Sequence, residues 1–196
     1  MPSVPVFDEP TAAKAVHQLA NPQESGAPLV FLVQEERVGW LKVLLPVRPN
    51  GTSGWVRQDD VTTYEHQYRI VIEIGAYRIT VYKDGNVFVQ EPIGVGTQDT
   101  PTPGGVYYTK ELIQPIDDSG KLNPNGPYGP YAYGLSGFSN VLYSFAGGDG
   151  VIGIHGTNDP SSLGRNASKG CIRMSNAGIT KLAKALPLGV PVEIRA

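Results

Sequence analysis

A mainly β fold laid out in two consecutive segments is what this sequence predicts, on three observations. Gly and Pro number 24 and 17 among 196 residues, high for a helical protein and natural for short strands joined by tight turns. Apolar residues alternate with a period of two along several runs. One short stretch near the C-terminus carries a helical period instead.

Residues 1–66 read as a small β unit. Val30-Phe31-Leu32-Val33 and Trp40-Leu41-Lys42-Val43-Leu44-Leu45 are strand-like runs, and the charged Gln34-Glu35-Glu36-Arg37 between them suits an exposed turn. The stretch from Pro46 to Gly54 is turn-rich, with Asn50-Gly51 supplying the positive φ of a hairpin, and Trp55-Val56-Arg57 resumes a strand. From Tyr68 the alternation sharpens. Ile70, Ile72 and Ile74 share one face, the run from Tyr77 to Tyr82 alternates again, and Lys83-Asp84-Gly85-Asn86 marks a hairpin before Val87-Phe88-Val89. Thr100-Pro101-Thr102-Pro103-Gly104-Gly105 is too Pro-dense for a central strand and reads as a rigid connector into Val106-Tyr107-Tyr108.

Residues 117–150 hold many Gly, Pro, Asn, Ser and Tyr with little periodicity, the pattern of a functional loop or a mobile segment. Tyr131 and Tyr133 within it are candidates for lining a substrate groove. A helix follows, with Asn176 as N-cap, Ile179, Leu182, Ala183 and Leu186 as its apolar face, and Pro187 as its stop. Val190-Pro191-Val192-Glu193-Ile194 closes the chain as an edge-compatible strand.

A formal net charge of −2, with no basic run, argues against nucleic acid and anionic membrane surfaces as partners. The apolar runs are too short to span a bilayer. Met1-Pro2-Ser3-Val4-Pro5 lacks the basic start and apolar stretch of a secretory signal, and looks like a start placed after a removed signal or anchor.

The chemistry concentrates at Cys171, the one cysteine, in Ser168-Lys169-Gly170-Cys171-Ile172-Arg173-Met174. It has no internal disulfide partner, and His155-Gly156-Thr157 ends an apolar strand a short way upstream. A free thiol is only a few per cent thiolate at neutral pH, so a nucleophilic role needs a base or a lowered pKa. His155 is suited to take the thiol proton and return it to a leaving amine. Lys169 and Arg173 bring positive charge that favours the thiolate, and the Gly170 and Cys171 N–H groups are able to form an oxyanion hole. Each residue has a duller reading: a small buried hydrophobe, a strand cap, a surface cation. Their combination on a glycine-flanked turn favours chemistry.

No metal is expected, since the other histidines, His17 and His66, both lie in the first segment and a structural zinc site wants four ligands. Phosphate-loop, dinucleotide and Gly-x-Ser-x-Gly signatures are absent from the sequence.

Two resemblances add to this. Gly39-Trp40-Leu41-Lys42-Val43 through Gly54-Trp55-Val56-Arg57 resembles bacterial Src-homology-three-like domains, which implies a small β-barrel-like accessory domain over residues 1–66 with a wall-binding role; plain core aromatics at Trp40 and Trp55 explain the same residues. His155-Gly156-Thr157 followed by Ser168-Lys169-Gly170-Cys171-Ile172-Arg173-Met174, with Pro101-Thr102-Pro103-Gly104-Gly105 upstream, is similar to the signature of L,D-transpeptidase catalytic domains. Many members carry histidine where this chain has Lys169.

That second resemblance implies a β-sandwich-like catalytic domain over residues 67–196, with one short helix after the cysteine motif. It also implies a mechanism. Cys171 attacks the meso-diaminopimelate–D-alanine bond of a peptidoglycan stem, His155 is base then acid and is oriented by the Gly156 carbonyl, the Gly170 and Cys171 amides hold the oxyanion, and Ser168 and Arg173 shape the turn or meet substrate carboxylates. Tyr131, Tyr133, Asn158 and Lys169 are the expected substrate contacts. An acceptor amine resolves the thioester into a cross-link with no cofactor, in an extracytoplasmic, cell-wall-associated setting. The alternatives are an L,D-carboxypeptidase, with water as acceptor, and a non-catalytic wall-binding protein.

Overall fold

Among the N-terminal strands, Ser3–Val6 and Trp40–Leu44 form where buried apolar residues alternate with more exposed ones. β1 (Ser3–Val6) pairs antiparallel with β2 (His17–Ala20), and β3 (Leu32–Arg37), β4 (Trp40–Leu44) and β5 (Ser53–Arg57) make a three-stranded antiparallel sheet. Val4, Val6, Leu41, Val43, Leu45 and Val56 close a core between them. The computed structural model describes residues 2–144 and 148–196; Met1 and residues 145–147 of the 117–150 stretch lie outside the described residues.

One expectation fails here. Gln34-Glu35-Glu36-Arg37 is not a turn but most of strand β3, and Val38-Gly39 makes the turn, with Gly39 at φ +76°. β3 is an edge strand paired only with β4, and water on both faces removes the alternation that marks a strand in sequence. Val30 and Phe31 precede the strand.

The second segment comprises β6 (Tyr68–Glu73), β7 (Arg78–Lys83), β8 (Asn86–Pro92), β9 (Val95–Gly96), β10 (Gly105–Ile113), β11 (Ala132–Phe138), β12 (Val151–His155), β13 (Asn166–Ser168), β14 (Ile172–Arg173), α1 (Asn176–Ala185) and β15 (Pro191–Arg195). The mainly β fold, with one α-helix among the described residues, is the one the sequence predicts. Eight of these strands form one sheet in the order β14-β12-β11-β10-β15-β6-β7-β8. Asp84 and Gly85, at φ +52° and +77°, make the expected two-residue hairpin between β7 and β8.

The sheet curls until its edges meet. Just past β8, Gly94 exchanges two backbone hydrogen bonds with Arg173 of β14, at 2.9 and 2.8 Å, although the two strands stand at opposite ends of the order. Gly94 has room for no side chain, because a Cβ there overlaps the Ser162 carbonyl. Inside the curl lie Ile70, Ile72, Ile79, Val81, Leu135, Ile154, Ile172 and Val192, all fully buried. A further cluster of Val30, Leu44 and Tyr108 joins the two segments.

Three more expectations are corrected. The irregular reading of residues 117–150 hides β11, an interior strand flanked by β10 and β12. Its glycines look like loop residues but make room for neighbours: a Cβ on Gly134 overlaps the Glu111 side chain, and one on Gly137 overlaps the Tyr107 ring. Val190–Ile194 is not an edge strand. β15 is central, between β10 and β6, and tolerates Pro191 because proline takes its first position. The N-cap of α1 is Ser175, whose Oγ accepts from the Gly178 N–H at 2.9 Å, while Asn176 is the first helical residue.

Tyr133 is fully buried in β11, and its hydroxyl lies 3.2 Å from the carbonyl oxygens of both Leu182 and Leu186 at the end of α1. It ties the helix to the sheet and does not line a groove. Tyr133→Phe is expected to lower unfolding free energy by about 1–2 kcal/mol in urea melts, with turnover unchanged. A changed KM for substrate instead would return Tyr133 to the site.

Candidate active site

The site forms where β12 and β14 run parallel, which sets Ile154 beside Ile172 and His155 beside Arg173. Cys171 immediately precedes β14, so this register sets it beside Gly153, two positions before His155 and on the same face of the sheet. A cavity of about 310 Å³ opens there, lined among others by Tyr128, Ser139, Leu142, Gly150, His155, Ser168, Lys169, Cys171 and Arg173. The sequence-predicted Cys171, His155, Ser168, Lys169 and Arg173 therefore share one pocket. Asn158 is exposed and Tyr131 packs against the core, and neither is among the lining residues.

Buried hydroxyls hold the cysteine turn. Ser168 Oγ accepts from the Gly170 N–H at 3.1 Å and donates to the Cys171 carbonyl at 2.5 Å. Thr102 Oγ1 donates to the Gly170 carbonyl at 2.9 Å and accepts from the Gly96 N–H at 2.8 Å. Gly170 sits at φ +113°, which an L side chain rarely adopts. This corrects the oxyanion expectation: the Gly170 N–H is taken by Ser168, so the glycine serves the turn. It also gives the Pro-rich connector a part that its composition concealed, because Thr102 is a positioning residue for the motif. On the far side, the Glu91 carboxylate accepts from the Ser175 N–H at 3.1 Å and its Oγ at 2.9 Å, anchoring the start of α1.

His155 is 5% exposed, and its Nδ1 lies 2.6 Å from the Gly156 carbonyl. A carbonyl only accepts, so Nδ1 carries the proton and Nε2 keeps the lone pair that a base needs. Burial pushes the imidazole pKa down to about 4; the bond to Gly156 opposes this and the Arg173 charge adds to it. At neutral pH the ring is uncharged.

Cys171 departs from expectation. Burial pushes its thiol pKa up, against the opposing pull of the Gly153 N–H and the Arg173 guanidinium. The expected lowering by nearby cations does not prevail. Arg173 Nε is buried without a hydrogen-bond partner among the described residues.

Sequence reasoning missed Tyr128. Its ring meets His155 edge-on, with centroids 4.9 Å apart, and its hydroxyl pKa is raised, chiefly by burial and then by the nearby Cys171. Tyr128 is placed by Gly129, at φ +65°, where a Cβ overlaps Asn176 Oδ1 and comes within 2.7 Å of Gly156 Cα. The same Asn176 Oδ1 accepts from the Thr157 N–H at 2.8 Å. The signal was Tyr-Gly where backbone must touch backbone, but five tyrosines between residues 107 and 133 offered no way to choose among them.

Comparison with known proteins identifies the family. The family model of the L,D-transpeptidase catalytic domain matches residues 67–194. YkuD of Bacillus subtilis (strain 168), a protein named for L,D-transpeptidase activity, is 37% identical over 131 residues, which cover 67% of this chain and 68% of the relative. Its namesake in Bacillus licheniformis is 35% identical over 127 residues, 65% of each chain. Among solved structures, an L,D-transpeptidase from Mycobacterium tuberculosis H37Rv superposes with a TM-score of 0.52 at 18% identity, over 86% of this chain and 77% of that one. The imipenem complex of the LD transpeptidase LdtMt1 does so with a TM-score of 0.51 at 16% identity, over 98% and 78%. At such identities the likeness is one of fold. The Ldtfm–avibactam carbamoyl enzyme, with a TM-score of 0.50 at 22% identity, aligns over 67% of this chain, which spans only 50% of that one. By the match over residues 67–194, and by its curled sheet with cysteine and histidine at one pocket, this chain belongs to the L,D-transpeptidase catalytic-domain family.

Proposed function

We propose that this protein is a peptidoglycan L,D-transpeptidase with Cys171 as nucleophile and His155 as general base and acid. The observation that carries this reading is a neutral imidazole, its Nδ1 proton held by Gly156, sharing a cavity with the chain's one thiol.

Thiol and imidazole are both uncharged at pH 7, so the proton leaves Sγ for Nε2 as sulfur attacks the carbonyl of the meso-diaminopimelate–D-alanine bond. The Cys171 N–H is the proposed oxyanion donor. The imidazolium returns its proton to the D-alanine nitrogen, the C–N bond breaks, and a thioester remains. An amine from a second stem then attacks the thioester, His155 takes its proton, and the sulfur leaves to recover the thiol. One amide replaces another, and the exchange requires no nucleotide. Arg173 gives the pocket positive charge suited to the carboxylates of a stem peptide. Such a substrate lies outside the cytoplasm, and residues 1–66 are proposed as an accessory unit that meets the wall polymer.

Mass analysis of products from defined tetrapeptide stems tests the acceptor. Cross-linked dimers that have lost one D-alanine are the expected result. Tripeptide and free D-alanine alone would make the protein an L,D-carboxypeptidase, and no turnover with no covalent adduct would leave it a wall-binding protein.

A further inference from the structure

Arg48 lies outside the segment matched by the family model, in the loop between β4 and β5, yet its guanidinium reaches into that segment. Nη1 donates to the Ser139 carbonyl at 2.8 Å, and Nη2 donates to the Leu142 and Asp149 carbonyls at 3.0 and 2.9 Å. One cation thus gathers the carbonyls of Ser139, Leu142 and Asp149. Its planar face also lies over the rings of Phe138 and Tyr143, 4.8 and 4.7 Å from their centroids. A lysine has neither the fork nor the plane for these contacts.

Asn50 continues the contact. Its Nδ2 donates to the Phe138 carbonyl at 2.7 Å, and its Oδ1 accepts from the Phe138 N–H at 2.9 Å, the exchange a neighbouring strand makes with the end of β11. Nδ2 also lies 3.3 Å from Asn140 Oδ1. Within the held segment, the Ser139 N–H donates to the Gly150 carbonyl at 2.8 Å, and Ser139 Oγ accepts from the Leu142 N–H at 3.0 Å. No slack remains at Gly150, where a Cβ comes within 3.3 Å of Arg48 Nη2 and overlaps the Leu142 carbonyl.

The residues so held are not remote from the chemistry. Ser139, Leu142 and Gly150 line the cavity that contains Cys171 and His155. Three carbonyls converging on one point repel each other without a cation, so loss of Arg48 shifts this wall rather than merely loosening a surface loop. We propose that Arg48, assisted by Asn50, is a positioning residue for acyl transfer: it sets the Ser139–Leu142–Gly150 wall against which the donor peptide lies, so the first segment is a working part of the catalytic pocket. This inference rests on the function proposed above.

The test uses the full chain with Arg48→Ala, Arg48→Lys and Asn50→Ala. Three quantities are read: kcat and KM for a tetrapeptide donor, amide exchange over residues 139–144, and the rate of Cys171 alkylation by iodoacetamide. Arg48→Ala is expected to raise KM roughly 10- to 100-fold, with kcat changed much less. Exchange over residues 139–144 rises with it, the pH profile of acylation stays as in the wild type, and Arg48→Lys restores part of the loss. Native KM and native exchange in Arg48→Ala overturn the proposal. If Arg48→Ala does not fold, Arg48→Lys decides in the same way, by a raised KM or a native one. If the wild type itself releases no D-alanine, the proposed function falls, and exchange and alkylation still decide on Arg48: native values in the variants overturn its positioning role, and altered values support it.

Discussion

Replacing Cys171 by alanine is expected to lower kcat on the order of 10⁴- to 10⁶-fold while the fold persists, because the reaction has no other thiol to pass through. The side chain is small, and Ser168 and Thr102 hold the turn around it through backbone groups, so the scaffold does not depend on Sγ. Two readouts separate chemistry from folding. A carbapenem should add its mass to the wild type and not to Cys171→Ala, and the two proteins should unfold at nearly the same temperature. Undiminished turnover in the variant would remove Cys171 from the mechanism.

His155→Ala should cost about 10²- to 10⁴-fold in acylation, the range for loss of a positioned general base. The pH dependence is more diagnostic. With the imidazole pKa near about 4 and the thiol raised, acylation should hold level through neutrality and fall only as pH drops through about 4 and His155 takes a proton. An acid limb near the ordinary histidine pKa would contradict the buried, neutral imidazole. Stability follows the same group. The unfolded histidine, with a pKa of 6.5, binds a proton more readily than the native one, so stability rises with pH across this window. Its contribution is full above about pH 6.5 and is lost as pH falls toward about 4, a difference of roughly 3 kcal/mol. Chemical melts at pH 7.5 and pH 4 read it, and His155→Ala should flatten the dependence.

What could be read from the sequence was chemistry set by near neighbours. His155 announces itself at the end of an apolar run, and Cys171 follows a glycine that must take a positive φ. The hairpin at Asp84-Gly85 is legible for the same reason, since two residues decide it. What could not be read depends on partners distant in the chain. β11 looks like a loop because Gly134 and Gly137 yield their volume to Glu111 and Tyr107, a fact about packing and not about period. Tyr133 and Tyr128 are equivalent as letters, but one ends under α1 and the other against the imidazole. The Gly170 N–H looked available until Ser168 Oγ, brought round by the turn, took it. Arg48 gave no local sign, and Asn50 only that of a turn, because their contacts are with carbonyls and an amide between Phe138 and Asp149.

The meeting of the sheet's two edges at Gly94 and Arg173 bears on the order in which this protein acquires its chemistry. Pairings between residues far apart in the chain form slowly, since loop entropy is lost before any contact repays it. Thr102 and Gly170 are 68 positions apart, and the edge contact of Gly94 with β14 spans further still. Until those contacts close, Cys171 is a thiol with an ordinary pKa of about 8.5 and His155 a histidine with a pKa of about 6.5. Nor does a half-folded chain hold thiol and imidazole in one cavity, so on the proposed function it would not turn over. With no second cysteine to pair with, it also has no internal disulfide in which to be trapped on the way.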